Sequence, residues 1–460
     1  MHSDQDPIVA IATAPGRGGV GIIRLSGNDK TILALIGKLF GEESSITPRF
    51  AHYRVFKDNN NDVIDDGLVL YFKEPKSYTG ESTLELQAHG GPVVLQVLLS
   101  RVLELGKEYG LRLAEPGEFT RRAFLNGRLD LSQAEAVADL IDATTESAAR
   151  AASRSLRGLF SKQVHELGDQ IIELRALIEA ILDFPEEEID FIKSTQAKER
   201  LDQILSDFNH LIEQSKQGAI LREGIKVVLV GSPNVGKSSL MNMLSGDDVA
   251  IVTDVAGTTR DKIEYDIQIQ GVAIRLIDTA GIRETNDKVE TIGIERTFQA
   301  IEDADVVIHL LDATHSVNEQ EGKKILEKVM RLVHRNVPII NILNKCDIAH
   351  DIEEVDSSVL KISAKTGYGI ESLKNKLLEI VGWTNNQEPI FLARERHIQA
   401  LNSTGEHLDK AGQFLLLNDP PLDLVAEELR LANESLGEII GVTTPDDILG
   451  LIFSRFCIGK

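Results

Sequence analysis

Residues 231–238 read Gly-Ser-Pro-Asn-Val-Gly-Lys-Ser and match the pattern G-x-x-x-x-G-K-S. The run follows the apolar segment Ile225–Val230 and precedes a stretch with helical spacing, which is the setting of a phosphate-binding loop. The glycines of such a loop let backbone N–H groups surround the phosphates. Lys237 would reach the β- and γ-phosphates, and Ser238 would ligate Mg²⁺. The run therefore predicts a nucleotide-binding α/β domain.

The chain beyond this loop repeats short apolar runs separated by helical stretches. Ala273–Ile277, Val306–Leu311 and Val337–Leu343 are continuous apolar runs, which is typical of parallel strands covered by helices on both faces. Leu373–Ile380 has the spacing of a closing helix. These segments predict a mostly parallel sheet that begins near Gly224.

Three short motifs follow the predicted strands. Asp278-Thr279-Ala280-Gly281 would place a carboxylate near Mg²⁺ and a glycine beside the γ-phosphate. Asn344-Lys345-Cys346-Asp347 ends in a carboxylate that can accept hydrogen bonds from N1–H and the 2-amino group of guanine, which adenine does not present. Ser363-Ala364-Lys365 would complete the base pocket, and Thr258 or Thr259 would act as a switch on the metal and γ-phosphate. The ordered set predicts a guanine-nucleotide site.

The residue after this Asp-Thr-Ala-Gly segment is Ile282, where a glutamine would orient the attacking water. An aliphatic side chain cannot position water, so hydrolysis must recruit another group. The nearby candidates are Arg283, Glu284, Asp287 and Glu290.

The segments before and after the α/β segment show two other sequence patterns, one mixed α+β and one helical. Residues 1–125 mix strand-like runs (Ile8–Ala14, Gly21–Leu25, Gly67–Phe72 and Thr83–Ala88) with a helical run, Pro92–Leu105. Ser132 and Glu135 form a capping-box pattern before a helical run that reaches about Arg157. Further helical runs cover 162–183, 194–217 and the chain from Ala393 onward, with a polar break at 418–421.

At 460 residues the chain predicts two to four domains. The order of these sequence patterns predicts an α+β amino-terminal domain at 1–125, a helical domain split into 126–222 and 384–460, and an inserted Ras-like GTPase domain at 223–383. Insertion is economical because the termini of a domain often lie close together.

The composition excludes several classes of protein. With 49 basic and 72 acidic residues the net charge is −23, which argues against a general nucleic-acid coat or a membrane-surface protein. Two cysteines, Cys346 and Cys457, cannot build a disulfide framework and fit a reducing cytosol. The polar start and the lack of an eighteen-residue apolar stretch predict no signal peptide and no membrane span. We therefore expect a cytoplasmic location.

A second glycine-rich run, Gly16-Arg17-Gly18-Gly19-Val20-Gly21, satisfies the dinucleotide pattern G-x-G-x-x-G. That fingerprint must open a helix, whereas Ile22-Ile23-Arg24-Leu25 has the character of another strand. The run therefore predicts a tight turn and not a nicotinamide or flavin site.

Taken together, these motifs resemble the MnmE/TrmE family of tRNA-modification GTPases. The resemblance extends over nearly the whole chain, and besides the GTPase motifs it rests on residues 15–21, Leu84-Glu85-Leu86-Gln87-Ala88-His89-Gly90-Gly91, Pro116-Gly117-Glu118-Phe119, residues 125–131 and the terminus Phe456-Cys457-Ile458-Gly459-Lys460. It implies potassium-activated GTP hydrolysis coupled to addition of a carboxymethylaminomethyl-type group at C5 of the wobble uridine of certain tRNAs.

The resemblance also implies cofactors and partners. The one-carbon donor would be a reduced folate, either 5-formyl- or methylene-tetrahydrofolate, held by the amino-terminal domain. The partners would be tRNA, a second copy of the chain and a flavoprotein of the MnmG/GidA type, in a heterotetramer. The GTPase would gate the modification and not perform the bond chemistry itself.

Carried over by position, Glu290 would be the catalytic residue. Mg²⁺ would be held by Ser238 and Thr259, and K⁺ by Asn234, Thr253, Val255 and Thr258. The predicted GTP contacts are Asn234, Val235, Gly236, Lys237, Ser238, Ser239, Thr253, Asp254, Val255, Ala256, Gly257, Thr258, Thr259, Asp278, Thr279, Ala280, Gly281, Asn344, Lys345, Asp347, Ser363, Ala364 and Lys365.

The folate contacts implied by the resemblance are Arg24, Glu85, Arg128 and Lys460. A carboxylate such as Glu85 can accept from the donor edge of a pterin, and cations can pair with the glutamate groups of a folate. Arg128 stands where relatives can carry lysine, which keeps the charge and can change the hydrogen-bond geometry. Without the resemblance, each of these residues would be interpreted as a solvated surface position.

Other interpretations stay open at this point. Arg150, Arg154 and Arg157 share one helix face, which is either a stripe for tRNA phosphates or a plain solvated face. Cys457 is either an apolar tail cysteine, a thiol near the one-carbon chemistry or a regulatory residue. The competing functions are a ribosome-assembly or translation GTPase without folate chemistry, and a non-catalytic nucleotide-switched scaffold.

Overall fold

The computed structural model of the chain describes residues 5–41, 46–183, 196–246, 264–278, 302–314, 320–332, 337–349, 358–384, 390–442, 452–453, 456 and 459. The chain divides into two compact units. The first comprises Met1–Ala138, Leu156–Leu201 and Ser403–Lys460, and the second comprises Asp139–Ser155 and Asp202–Asn402. The four-part division expected from the sequence stays a prediction.

The amino-terminal part of the chain is an α+β layer. Its elements are β1 (Ile8–Ile11), β2 (Gly18–Gly27), α1 (Asp29–Phe40), β3 (His52–Lys57), β4 (Val63–Phe72), β5 (Ser82–Gly90), α2 (Pro92–Gly106), a 3₁₀ turn (Lys107–Tyr109), β6 (Arg112–Leu113) and α3 (Glu118–Leu125). The strands form one six-stranded sheet in the order β3-β4-β5-β2-β1-β6, in which β1 and β6 are parallel and the other pairs antiparallel.

The sheet's core lies under α1 and α2. Helix α1 begins after Asn28, whose side chain accepts a hydrogen bond from the backbone N–H of Thr31 at 2.9 Å. One face of each helix is apolar and is buried against the sheet, as at Ile32 and Leu98. Alternate residues of the strands, such as Leu86, face these helices. Strand β2 begins at Gly18. The predicted strand at Ile22–Leu25 is confirmed, and it begins within the glycine-rich run.

A buried ionic network fastens α3 to this sheet. Arg122 is 1% exposed, and its guanidinium donates to Glu118 Oε1 at 2.8 Å and to Glu81 Oε2 at 3.0 Å. Arg112 donates to both carboxylate oxygens of Glu118, at 2.7 and 2.8 Å. Burial acts to raise the pKa of Glu118, but the hydrogen bonds from Arg112, from the backbone N–H of Glu115 and from Arg122 outweigh it and lower the pKa to about 2.

The helical part of the chain consists of α4 (Leu131–Asp142), α5 (Glu146–Leu156), α6 (Leu159–Asp183), α7 (Gln196–Glu223), and, after the α/β segment, α11 (Glu395–Leu415) and α12 (Leu422–Ile440). Within the first unit α6 packs along α12. They come close at Gly168, where an added Cβ would lie 3.2 Å from Asn433 Oδ1.

The capping box predicted at Ser132 and Glu135 is wrong. The residue that caps α4 is Asp130, whose Oδ1 accepts from the backbone N–H of Gln133 at 2.9 Å. In turn, the backbone N–H of Asp130 donates to Gln133 Oε1 at 3.0 Å. An Asp and a Gln three residues apart satisfy the same orphan donors as Ser and Glu. Ser132 and Glu135 are instead buried, at 3% and 1% exposure.

The single helix expected from about 132 to 157 is two helices. The break lies at 143–145, where the Thr145 hydroxyl accepts from the backbone N–H of Ala148 at 3.1 Å and starts α5. Two adjacent threonines lower helix propensity and offer a side-chain acceptor. The alanine-rich composition on both sides masked this break.

The second unit contains the α/β segment. Its elements are β7 (Ile225–Val230), α8 (Lys237–Gly246), β8 (Glu264–Ile269), β9 (Val272–Asp278), β10 (Val306–Asp312), α9 (Gln320–Leu332), β11 (Ile339–Asn344), β12 (Leu360–Lys361) and α10 (Ile370–Ile380). The strand order is β12-β11-β10-β7-β9-β8. All neighbours are parallel except the β8–β9 pair. This is the Ras-like arrangement that the apolar runs predicted.

Strand β8 is absent from the sequence-based expectations. Its residues alternate, with Ile267 and Ile269 buried against the core, and the alternation is the signal that would have identified it. Gln270 and Gly271 both have positive φ, 49° and 87°. That pair closes the hairpin to β9 with a tight turn that matches the twist of the strands.

Among the described residues, none of the helices combines the length and the apolar composition that a membrane span needs.

The buried network makes α3 sensitive to loss of one carboxylate. We expect Glu118→Gln to lower the local opening free energy of α3 by about 3 kcal/mol at neutral pH, because Arg112 and the buried Arg122 both lose the carboxylate that they share. Since the folded pKa is lowered, the carboxylate's contribution is present above its ordinary value of 4.5 and is lost as the pH falls toward 2. The gap between wild type and variant therefore shrinks below about pH 4.5.

Hydrogen exchange of α3 peptides, read by mass spectrometry at neutral and acid pH, measures both effects. The matched control is Glu108→Gln, because Glu108 pairs with Lys38 but is 58% exposed. Equal α3 protection in the Glu118 variant and the wild type at neutral pH would contradict the assignment.

Candidate nucleotide site and candidate anion-binding cavity

The nucleotide motifs lie at one edge of the second sheet. Strands β7, β9, β10 and β11 run parallel, so their carboxyl ends meet at that edge. Asp278 and Leu229 are register partners, and Asp312 and Asn344 are register partners. The sheet thus brings the loop after β7 next to the ends of β9, β10 and β11.

The phosphate-binding loop is folded around the side chain of Lys237. Its ammonium donates to the carbonyl oxygens of Gly231 at 2.7 Å and Ser232 at 3.2 Å. Gly236 has a φ of +103°, and an added Cβ would lie 2.3 Å from Asn344 Nδ2. Both the left-handed backbone and this close approach require glycine. The second glycine of the motif therefore admits the Asn344 side chain.

Asn344 ties two loops together from a fully buried position. It is 2% exposed, its Nδ2 donates to the carbonyl oxygen of Val235 at 2.9 Å, and its Oδ1 accepts from the backbone N–H of Ala364 at 2.9 Å. The amide uses its donor on the phosphate-binding loop and its acceptor on the Ser-Ala-Lys loop. One side chain therefore fixes the spacing between the two predicted halves of the nucleotide site.

The carboxylate predicted to read guanine is also held in place. Ser363 Oγ donates to Asp347 Oδ1 at 2.8 Å, which links the Asn-Lys-Cys-Asp motif to the Ser-Ala-Lys motif a second time. Between them Lys345 has a φ of +66°, and its ammonium pairs with Asp312 Oδ2 at 2.6 Å. Burial acts to raise the pKa of Asp312, but the bonds from Lys345 and Thr314 prevail and lower it.

The structure thus gathers one group of the predicted GTP contacts around two loops: Asn234, Val235, Gly236, Lys237, Ser238, Ser239, Asp278, Asn344, Lys345, Asp347, Ser363, Ala364 and Lys365. The other predicted residues of this site lie outside the described residues: Thr253, Asp254, Val255, Ala256, Gly257, Thr258, Thr259, Thr279, Ala280, Gly281 and Glu290.

A second candidate site is a cavity of 240 Å³ in the first unit. Arg24 on β2 and Glu85 on β5 are register partners, and both line this cavity. The Arg24 Nε donates to Glu85 Oε1 at 2.9 Å, with the side chains 22% and 15% exposed. Arg128, the third predicted folate contact, lines the same cavity. Residues more than a hundred positions apart in sequence thus meet at one opening.

Aromatic rings pack around the inner cation. The guanidinium carbon of Arg24 lies 5.5 Å from the centroid of the Tyr78 ring and 5.9 Å from that of Phe119, within the range of cation–π attraction. The Tyr78 hydroxyl shares a 2.8 Å hydrogen bond with Thr120 Oγ1. Helix α3, which carries Phe119 and Thr120, therefore holds one wall of the cavity.

Gly459 contacts Arg24, one of the residues that line this cavity. An N–H of the Arg24 guanidinium lies 3.5 Å from the Gly459 carbonyl oxygen. Gly459 has a φ of +98°, and an added Cβ would lie 2.4 Å from the Ile11 carbonyl oxygen. Lys460, a folate contact implied by the resemblance, lies outside the described residues. Cys457, whose role stays open, also lies outside them.

Six lining residues were missed by the sequence reasoning: Arg49, Phe72, Lys76, Ser77, Tyr78 and Thr83. Arg49 and Lys76 are exposed cations in loops, and Thr83 on β5 is 2% exposed. The Thr83 hydroxyl makes no hydrogen bond with any other described residue. Thr83 could have been found, because it lies two residues before Glu85 on one strand and so shares its face. Loop residues such as Arg49 have no periodicity to reveal them.

The basic face proposed for tRNA is only partly available. The Arg154 guanidinium donates to the Ile390 carbonyl oxygen at 3.1 Å, and Arg150 pairs with Glu146 one helical turn away. Arg157 is exposed. Because Arg154 serves a contact within the second unit, the three arginines do not form a continuous free stripe.

Comparison with known proteins covers the whole chain. One family model, the MnmE helical domain, matches residues 131–457, and another, the GTP-binding protein TrmE N-terminus, matches residues 7–128. Similar proteins include the tRNA modification GTPase MnmE of Bordetella parapertussis (strain 12822), 54% identical with 99% of each chain covered. The protein of the same name from Burkholderia lata is 53% identical with 100% of each chain covered.

A similar solved structure is the G domain of the T. maritima FeoB iron transporter, 31% identical. It covers 34% of this chain and 98% of its own, with a TM-score of 0.26. A score this low supports no structural argument.

The geometry at Asn344 gives a direct test of the nucleotide site. We expect Asn344→Ala to weaken GTP and GDP binding about tenfold to a hundredfold, because a buried carbonyl and a buried N–H both lose their partner and the two loops lose their link. Titration with a fluorescent GDP analogue measures the change. Asn375→Ala is the matched control, since Asn375 on α10 is exposed and accepts a hydrogen bond from the Gln270 side chain at 3.2 Å. Unchanged affinity in the Asn344 variant would exclude this role.

Proposed function

The chain belongs to the MnmE family of tRNA modification GTPases, and from that premise we propose a potassium-activated, folate-dependent mode of action. The chain is a GTP hydrolase that acts in tRNA modification. In our proposal it drives addition of a carboxymethylaminomethyl-type group at C5 of the wobble uridine of certain tRNAs. It would do so as a homodimer, together with a flavoprotein of the MnmG/GidA type in a heterotetramer.

The observation that carries the GTPase assignment is the Asn344 link. A single buried amide bonds both the loop that would surround the phosphates and the loop that would close over the base. A nucleotide bound there would meet Lys237 at its phosphates and Asp347 at its base. Family membership favours this function over a ribosome-assembly or translation GTPase and over a non-catalytic scaffold.

The residues present fit the proposed metal ions. Ser238 lies in the first turn of α8 and Asp278 at the carboxyl end of β9, and hydroxyl and carboxylate oxygens are the donors that Mg²⁺ prefers. Thr259 would complete the Mg²⁺ shell. Asn234 offers an amide oxygen from a left-handed position of the phosphate-binding loop, at a φ of +64°. It would hold K⁺ together with Thr253, Val255 and Thr258.

Glu290 and Asn234 would then take over the catalytic role that Ile282 cannot perform. A K⁺ ion held by Asn234 would supply the positive charge that other GTPases obtain from an arginine. Glu290 would orient the attacking water, either directly or through a second water. Asn234 would position the cation, and Lys237 would stabilise charge on the transferred phosphoryl group.

The folate proposal rests on the paired charges of the 240 Å³ cavity. Glu85 can accept from the donor edge of a pterin, and Arg24 holds that carboxylate in place at 2.9 Å. Arg128 and, at the terminus, Lys460 would meet anionic groups of the ligand. The orphan Thr83 hydroxyl gives the cavity one further buried polar group that a ligand can satisfy.

We expect GTP turnover to be more than about tenfold faster in KCl than in NaCl at matched ionic strength, because only the larger ion suits oxygens placed for it between the phosphates. Asn234→Ala should erase the difference. Asn242→Ala, which removes an exposed amide from α8, should keep it. Glu290→Ala should lower turnover and leave nucleotide affinity nearly unchanged. Equal wild-type rates in the two salts would refute the cation mechanism.

Arg24→Ala and Glu85→Ala should each weaken binding of 5-formyltetrahydrofolate about tenfold or more, because each change also leaves the remaining partner unpaired in a half-buried cavity. Their GTP turnover should stay close to wild type, since Lys237 and Asn344 are untouched. Calorimetry measures the folate affinity, and Glu104→Ala, an exposed carboxylate on α2, serves as the control. Unchanged folate affinity in both variants would remove the assigned site.

A further inference from the structure

The mouth of the 240 Å³ cavity carries more positive charge than the assigned ligand contacts explain. Its lining contains four cations, Arg24, Arg49, Lys76 and Arg128, and one carboxylate, Glu85. The chain as a whole has a net charge of −23. A local cluster of cations on a strongly acidic protein attracts anionic ligands to that spot.

The inner and outer charges of the cavity have different tasks. Arg24 and Glu85 are paired and half-buried, so they largely neutralise each other. Arg49, Lys76 and Arg128 are exposed at the opening, and no described carboxylate lies within salt-bridge distance of Arg49 or Lys76. The opening is therefore a rim of cations around a floor whose charges already neutralise each other.

Arg49 is held in a defined conformation by backbone and side-chain hydrogen bonds. Its φ is +63°, a left-handed value that is unfavourable for a residue with a Cβ. Its backbone N–H donates to the Tyr71 carbonyl at 2.8 Å, and one N–H of its guanidinium donates to the Lys76 carbonyl at 2.7 Å. These bonds hold Arg49 beside Lys76 and leave its other N–H groups available at the rim.

We propose that Arg49 and Lys76 form a subsite for the additional carboxylates of an oligo-γ-glutamate tail, so that the cavity selects reduced folates with more than one glutamate. This inference rests on the proposed folate function and adds the form of the ligand. Each γ-linked glutamate adds one carboxylate, and a guanidinium beside an ammonium can pair with two of them. The pterin end occupies the balanced floor and the tail extends across the rim.

The test compares two ligands with the full-length protein. Calorimetry with the monoglutamate and the γ-linked triglutamate of 5-formyltetrahydrofolate should show the triglutamate binding roughly threefold to tenfold tighter, as expected for two exposed ion pairs. The preference should shrink as NaCl is raised, because exposed pairs are screened. The γ-linked triglutamate peptide without a pterin should bind at least tenfold more weakly than the complete ligand.

The variants separate the subsite from the rest of the cavity. In the double variant R49Q/K76Q the two folates should bind with equal affinity, while monoglutamate binding falls less than triglutamate binding. The matched control is Lys73→Gln, since Lys73 is 60% exposed on the same segment, lies near Asp29 and is not part of the cavity lining. That variant should keep the preference.

The experiment distinguishes failure of the proposed subsite from failure of the proposed folate function. Equal binding of the two folates to the wild type, or a preference that survives in R49Q/K76Q, would overturn the subsite and leave the folate function standing. Tight binding of the peptide alone would also overturn it, because the rim would then be a general anion site. If neither folate binds the wild type, the folate function itself is overturned.

Discussion

The parallel pairing of β7 with β9 and β10, and of β10 with β11, is the constraint on which the nucleotide site depends. These strands are mostly apolar and contribute buried residues to both faces of the sheet, so helices must cover both sides and these four strands run the same way. Loops that carry polar chemistry can then leave only at the strand ends. Asp278, Asp312 and Asn344 are placed at one edge for that reason.

The two candidate sites are held together by different physics. At the nucleotide site one neutral amide, Asn344, does the joining, and a glycine makes room for it. At the cavity the joining is ionic: Arg122 binds Glu81, and Ser26 Oγ donates to the same carboxylate at 2.7 Å. Glu81 follows directly on the loop that carries Tyr78 and Lys76. The motif around Glu118 therefore acts on the cavity through a buried salt bridge, because Arg122 links the two carboxylates.

Local patterns predicted many of the strands and helices within a few residues, but helices α1 and α3 and strands β3, β6, β8 and β12 were not identified. The run Ile225–Val230 was identified with its bounds unchanged. One error occurred where two local signals competed. Both Ser132–Glu135 and Asp130–Gln133 have the spacing of a capping box, and only the burial of Ser132 and Glu135 in the folded chain separates them. Strand β8 was missed because its alternation is short and its partner, β9, is needed to bury Ile267 and Ile269.

The sequence by itself determined the chemistry of this protein: the phosphate-binding loop, the guanine-reading motif and the strand-like glycine run all follow from residue type and spacing, which are local. The tertiary structure decided which distant residues meet. Arg24 and Glu85 become register partners only when β2 pairs with β5. Arg49 and Lys76 join them only when two loops close over that sheet. Contacts between distant residues depend on which strands pair and which side chains become buried. No local sequence pattern encodes that pairing, because the residues lie far apart along the chain.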